Sequence, residues 1–303
     1  MSFKNFSEMI AAVKSQPQKR IAVAAADEHE ILQAVRNAQD EKLTQAILVG
    51  NKANIEKICA EHHISLNGFE IINEPDHIEA ARKCCTMVKQ KEAHVIVKGL
   101  IDTAKYMKAI LDKQTGLATG NLLSHVAVFE TDCYHKLLFV TDAAINIKPN
   151  LDQKVGIIQN AVSVARMLGV EMPKVACCCG VEKVNAAAMP ETIDAAILSK
   201  MNGRGQITGC MIDGPLGLDN AVNTQSAQIK KIDSPVAGDA DIIMAPDLAS
   251  GNFLYKTLLF LAKSRAAAIV AGAAAPVVLT SRADNHETKY LSIALGLASS
   301  QNG

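Results

Sequence analysis

Eight consecutive residues near the carboxyl end of the chain, Thr280-Ser281-Arg282-Ala283-Asp284-Asn285-His286-Glu287, bring together hydroxyls, a guanidinium, two carboxylates and an imidazole. They follow an apolar stretch, Pro276 to Leu279, and precede a helix expected from about Glu287 to Ala298. In open α/β sheets the loops after the carboxyl ends of strands hold ligands. A loop of this composition in that place is a candidate active site. The closing helix also needs an N-cap, for which one Thr, Ser or Asp suffices.

Other places offer groups that can meet an anion. Asp241-Ile-Ile-Met-Ala-Pro-Asp247 reads as a short buried strand stopped by Pro246, and Ala249-Ser250-Gly251-Asn252 then opens a helix carrying Tyr255 and Lys256. Free N–H groups at a helix start suit phosphate. The same pattern describes an ordinary strand-to-helix connection capped by Ser250 or Asn252. His94 to Lys98 is strand-like and ends in a cation and Gly99, before a helix with Asp102, Thr103, Lys105 and Lys108. Lys98 and Lys105 can both bind phosphate, although a lysine on a helix surface is otherwise simply solvated. Asp142, in the loop before a helix from Leu151 to Leu168, lines a cleft or forms a turn. Asp213 precedes Gly214-Pro215, a pair that demands a sharp corner, and either meets substrate or stabilises that corner.

The elements that must position these groups alternate along the chain. Residues 21–26, 46–50 and 69–72 are apolar runs of strand length, and 28–39, 52–62 and 77–91 carry helical spacing. Strands at 124–129 and 136–140 follow. The second half repeats the rhythm with a strand at 174–179, a helix at 192–201 and a strand at 206–212. Such alternation predicts a parallel sheet with helices on both faces. The first strand ends in AAADEHE, without the GxGxxG that brings backbone close to a dinucleotide, and no GxxxxGK[ST] loop occurs.

At 303 residues with 49% hydrophobic content the chain has material for two α/β cores. Its formal net charge of zero argues against nucleic acid or an acidic membrane surface as partner. The first residues, with Phe3, Phe6, Ile10 and Val13 on roughly one face, lack the pattern of a signal peptide, and no apolar run approaches the length of a membrane span. The expected location is the cytoplasm. Eight cysteines include no CxxC pair. Cys177-Cys178-Cys179 reads as a buried strand, because adjacent side chains point to opposite faces and cannot hold one ion together.

Several stretches are similar to the phosphate acetyl/butyryl transferase family: APDLASGNFLYK, PVVLTSRADNHETK, VKGLIDTAKYMKAIL, TDAAINIKPNLDQK, EKVNAAAMPETIDA and MIDGPLGLDNA. The last three resemble phosphate butyryltransferases more than phosphate acetyltransferases. The resemblance implies two α/β domains around a cleft, an isocitrate/isopropylmalate-dehydrogenase-like architecture whose C-terminal helix returns to the first domain. The expected division is 1–135 plus 275–303 for one domain and 136–274 for the other. A homodimer or higher homo-oligomer is implied as well.

The implied reaction moves a short acyl group, butyryl, from coenzyme A to inorganic phosphate, giving acyl phosphate and free CoA through a tetrahedral oxyanion. The resemblance assigns Arg282 to phosphate or acyl-phosphate oxygens, where a planar two-pronged donor fits. It assigns Ser281 to the oxyanion or the thiol sulfur. Phosphate acetyltransferases place an aspartate six to seven residues after this serine; here Glu287 and Thr288 occupy the window, and Asp284 stands closer. The base is therefore Asp284 or Glu287, with Asp142, Asp213 and His286 as further candidates. Phosphate acetyltransferases also carry Ser-Gly at Lys98-Gly99 and an arginine at Lys105, within Thr103-Ala104-Lys105. Lys98, Gly99, Thr103, Lys105, Asn252, Lys256, Asp142 and Asp213 are the expected CoA and phosphate contacts. No metal and no cofactor beyond CoA itself is expected. The alternatives are a phosphate acetyltransferase, a non-catalytic CoA- or phosphate-binding regulatory protein, and a metal-dependent decarboxylating dehydrogenase. For the last, the chain shows neither the arginine-rich pocket nor the aspartate cluster.

Overall fold

The structure, a computed structural model, describes residues 3–281 and 283–300. The chain opens with α1 (Phe6–Lys14), β1 (Lys19–Ala24), α2 (His29–Asp40), β2 (Thr44–Gly50), α3 (Lys52–Glu61), β3 (Glu70–Asn73), α4 (His77–Lys89), β4 (Val95–Lys98) and α5 (Thr103–Ile110). It continues through β5 (Ser124–Glu130), β6 (Leu138–Thr141), α6 (Leu151–Met167), β7 (Lys174–Cys178), α7 (Glu191–Gly203), β8 (Met211–Leu216), α8 (Leu218–Val222), α9 (Thr224–Ile229), β9 (Ile242–Met244) and α10 (Leu248–Lys256). A π-helical turn at Thr257–Leu261 leads to β10 (Arg265–Ala271), β11 (Val277–Val278) and α11 (His286–Ser299).

Two compact units result. Of the described residues, one unit holds 3–5 and Leu122–Ala266; the other holds Phe6–Asn121 and those from Ala267 on. The expected division points, 135/136 and 274/275, lie in the short connections of the β5–β6 and β10–β11 hairpins. Here the chain changes unit just ahead of β5 and early in β10.

In the unit built from Phe6–Asn121 and the chain after Ala266, the strands run β3-β2-β1-β4-β11-β10. All of these pair in parallel except β10 with β11. From β1 the chain steps outward to β2 and β3, then returns past β1 to β4. The carboxyl ends of β1 and β4 therefore lie at the reversal of strand order, where open α/β sheets bind ligands. Every residue of β4 is buried, as is all of β1 except Arg20, as befits strands covered on both faces. The C-terminal helix does return to this unit: α11 packs on α1, α2, β4 and β11 and is buried from Thr288 through Leu297.

In the other unit the order is β5-β6-β9-β7-β8. Here β5 and β6 pair antiparallel and the remaining neighbours pair parallel. The parallel sheet expected from the sequence is thus corrected at two hairpins, whose strands pair antiparallel. The connections at 131–137 and 272–276 are too short for a parallel crossover, which needs a dozen or more residues.

Local signals differ from expectation at three points. Asp247 caps α10, accepting from Ser250 N at 2.8 Å, and Asn285 caps α11, accepting from Thr288 N at 2.9 Å. Each helix begins just after its cap, so Ser250 and Asn252 lie inside α10 and Thr280, Ser281 and Asp284 lie ahead of the α11 cap. Gly214-Pro215 makes no corner; β8 runs through it to Leu216 with a register shift against β7. A Cβ on Gly214 would stand 2.8 Å from the Cys177 carbonyl oxygen, so glycine permits this close strand approach.

Candidate active site

The loop between β11 and α11 is closed by its own hydrogen bonds. Ser281 N donates to Asp284 Oδ2 at 2.7 Å, and Asp284 N donates back to the Ser281 carbonyl at 3.2 Å. Ala283 N donates to Ser281 Oγ at 3.3 Å. The hydroxyl is the acceptor in this bond, which does not use its own proton. Ser281 is exposed and Asp284 is buried. Burial raises the Asp284 carboxyl above its ordinary value, against the opposing pull of the Ser281 N–H, Lys289 and Lys98; Glu28 pushes it further up. Arg282 lies outside the described residues. Glu287 and His286 are exposed in the first turn of α11, and His286 Nδ1 lies 3.3 Å from Glu30 Oε2.

Lys98 and Gly99 share this unit with the loop. Lys98, the last residue of β4, is buried, and its Nζ reaches the Gly99 carbonyl at 3.5 Å. Gly99 is forced by sterics: an added Cβ would stand 2.2 Å from the Ala25 carbonyl oxygen. The turn after β1 grips this stretch, with Gly99 N donating to Ala24 O at 2.9 Å and Leu100 N to Ala25 O at 2.7 Å. Thr103 and Lys105 are exposed at the start of α5, and Asp102 caps that helix through Ala104 N and Lys105 N. Lys105 borders a cavity of about 430 Å³ built from Pro75–Ile78 and Leu100–Asp102.

The remaining expected contacts belong to the other unit. Asp142 is buried, and its carboxylate accepts from His125 N, Ala144 N, Ile145 N and both nitrogens of Asn146. Of the two readings open for Asp142, the turn-forming one describes these bonds. Asp213 Oδ1 accepts from Gly214 N at 2.8 Å. Asn252 Nδ2 donates to Ala143 O at 3.0 Å, and Lys256 is exposed at the end of α10.

Two residues beside the loop escaped the sequence reading. Lys289 in α11 is buried, and its Nζ donates to Glu28 Oε1 at 2.8 Å. The signal was available: a lysine within the apolar run YLSIALGLA's helix needs a buried acidic partner. Its partner, 261 positions away, was not legible.

Among the described residues, no group of three or more His, Cys, Asp or Glu side chains is arranged to hold a metal ion. Most cysteines are buried, and burial pushes the Cys178 thiol up to about 12 and the Cys210 thiol to about 11. Such thiols are not nucleophiles at neutral pH. No helix among the described residues is long and apolar enough to cross a membrane.

The family profile described as Phosphate acetyl/butaryl transferase matches residues 5–85 and 73–297. The chain belongs to this family. Phosphate butyryltransferase of Clostridium acetobutylicum is 48% identical over 292 residues, covering 96% of this chain and 97% of that protein. Among solved structures, a branched-chain phosphotransacylase from Enterococcus faecalis V583 superposes with a TM-score of 0.85 at 29% identity, covering 94% of this chain and all of that one. A 4-hydroxythreonine-4-phosphate dehydrogenase from Klebsiella pneumoniae shares the fold at a TM-score of 0.59 and 16% identity, over 94% of this chain and all of its own. The phosphate acetyl/butyryl transferase family thus has in this member a dehydrogenase-like α/β architecture, as the motifs implied.

Proposed function

We propose that the protein is a phosphate butyryltransferase, transferring a butyryl group reversibly between coenzyme A and inorganic phosphate. The observation that carries this reading is the match to the C. acetobutylicum enzyme over nearly the whole of both chains. The geometry of the 281–287 loop supports it. A phosphate oxygen attacks the thioester carbonyl, the carbonyl becomes a tetrahedral oxyanion, and the C–S bond breaks to release CoA thiolate. Ser281, whose hydroxyl accepts from Ala283 N, donates a hydrogen bond to the oxyanion or the leaving sulfur. Arg282 binds the phosphate in two-pronged fashion.

Asp284 and Glu287 take different tasks in this proposal. Asp284 is buried and committed to the Ser281 N–H, so it holds the serine. Glu287, exposed on the first turn of α11, exchanges the thiol proton. Lys98 and Gly99 lie at the reversal of strand order, and Lys105 beside its cavity supplies a cation for the phosphates of CoA, with Thr103 next to it. Lys256 and Asn252 complete the proposed CoA contacts. In this account Asp142 serves the turn at 142–146, and Asp213 accepts from the Gly214 N–H within β8. The displacement itself calls for no metal or prosthetic group, and a homo-oligomer in the cytoplasm belongs to the same proposal.

The test is formation of acyl phosphate, trapped with hydroxylamine, from acetyl-, butyryl- and isobutyryl-CoA with phosphate. Butyryl phosphate is expected to form fastest. Two further methylenes in the acyl pocket are worth about 0.8 kcal/mol each, or roughly tenfold together. Preference for acetyl-CoA by that factor would replace the butyryl assignment with acetyl; no acyl phosphate from any ester would overturn the activity.

A further inference from the structure

Lys289 and Glu28 bring two charges into the protein interior, with side-chain exposures of 2% and 15%. Charges so placed must be paired, yet a buried pair is often no more stabilising than apolar side chains of the same size. Stability alone therefore gives little reason for this pair. Its geometry gives another. Glu28 occupies the N-cap position of α2, but its side chain makes no capping hydrogen bond there. The carboxylate is turned instead to the first full turn of α11, four residues beyond Asn285.

We propose that the buried Glu28–Lys289 pair is a positioning device for the acyl-transfer loop, fixing the start of α11 to the turn after β1. The inference rests on the acyl-transfer reading above. Both ends of the connection are stiff. On one side, the turn holding Glu28 is bonded to the residues after β4 through Gly99 N to Ala24 O and Leu100 N to Ala25 O. On the other, Asn285 caps the helix, and Ser281 and Asp284 close the loop upon it. The pair thereby keeps Ser281 in a fixed relation to Lys98 and Gly99. A second, exposed contact runs parallel to it from Glu30 to His286 at 3.3 Å, and exposed pairs of this kind hold weakly. The ammonium of Lys289 also opposes the effect of burial on the Asp284 carboxylate, which binds the Ser281 amide.

The test compares the full-length protein with Glu28→Gln/Lys289→Met, which removes both charges, and with Glu28→Asp, which keeps the charge but shortens its reach by one methylene. Wild-type thiol release from butyryl-CoA that depends on phosphate is measured first; its absence would refute the acyl-transfer reading and leave nothing for the pair to position. With wild type active, the double variant is expected to melt at or above the wild-type temperature, to lose about 10- to 100-fold in kcat and to keep its KM for butyryl-CoA within about threefold. A displacement of about 1 Å costs this much. A folded double variant with wild-type kcat would overturn the proposal. If the double variant does not fold, Glu28→Asp decides: a fall in kcat at unchanged KM supports positioning, and wild-type kcat overturns it.

Discussion

Replacing Gly99 by alanine tests how tightly the β4 end is built. The new Cβ would stand 2.2 Å from the Ala25 carbonyl oxygen and 2.9 Å from that of Ala24, both backbone atoms with no rotamer to retreat into. Separation requires the 99–100 segment to move away from the turn after β1, straining or breaking the bonds Gly99 N to Ala24 O and Leu100 N to Ala25 O. Two such bonds are worth about 1 kcal/mol each, and overpacking a close-packed site adds about 1–3 kcal/mol. The expected loss is about 3–5 kcal/mol, a fall in Tm of roughly 6–15 °C for a protein of this size. Gly203→Ala at the end of α7 is the control, since a Cβ there meets nothing within 4 Å; helix propensity makes it neutral to stabilising by up to about 1 kcal/mol. Thermal melts followed by circular dichroism read both. A Gly99→Ala melt within about 1 °C of wild type would refute the steric argument.

Two other expectations follow from the same contacts. Asp142→Ala leaves the buried His125 N–H and the half-buried N–H groups of Ala144 and Ile145 without their acceptor; urea unfolding should show a loss of about 3–5 kcal/mol, and a loss under about 1 kcal/mol would contradict the turn-forming role. Asp284 has a carboxyl raised by burial, so between the ordinary aspartate value and its own the folded protein binds more protons than the unfolded chain, and this group's contribution to stability falls as pH rises through that window. Asp284→Asn removes that fall, so the variant should gain on wild type in urea midpoint as pH rises from about 4 to about 7. A constant difference across that range would contradict it.

Much of the fold was legible because the elements are short, strongly patterned and locally determined. The helix read at 151–168 is observed at Leu151–Met167, and the strand read at 174–179 at Lys174–Cys178. Strand direction at β6 and β11 was less legible: apolar periodicity is the same in parallel and antiparallel strands, and connection length decides between them. The caps show a similar limit. Asp247 and Asn285 each stand among other competent cap residues, so composition places a helix start only to within a few positions. At the candidate site, residue types at 281–287 were visible as a cluster. The commitment of Asp284 to the Ser281 amide and of Asp142 to its own turn was not, because either carboxylate could equally have faced a ligand. Glu28 and Lys289 were hidden by their separation along the chain, which only the return of α11 to the unit that holds α2 abolishes.

The central claim is tested most directly by release of free thiol from butyryl-CoA with and without inorganic phosphate, in wild type and in Arg282→Ala. Thiol release that requires phosphate and falls by about 100-fold or more in the variant is the predicted result. Release that proceeds equally without phosphate, or an Arg282→Ala variant as fast as wild type, would contradict the account of acyl transfer at this loop.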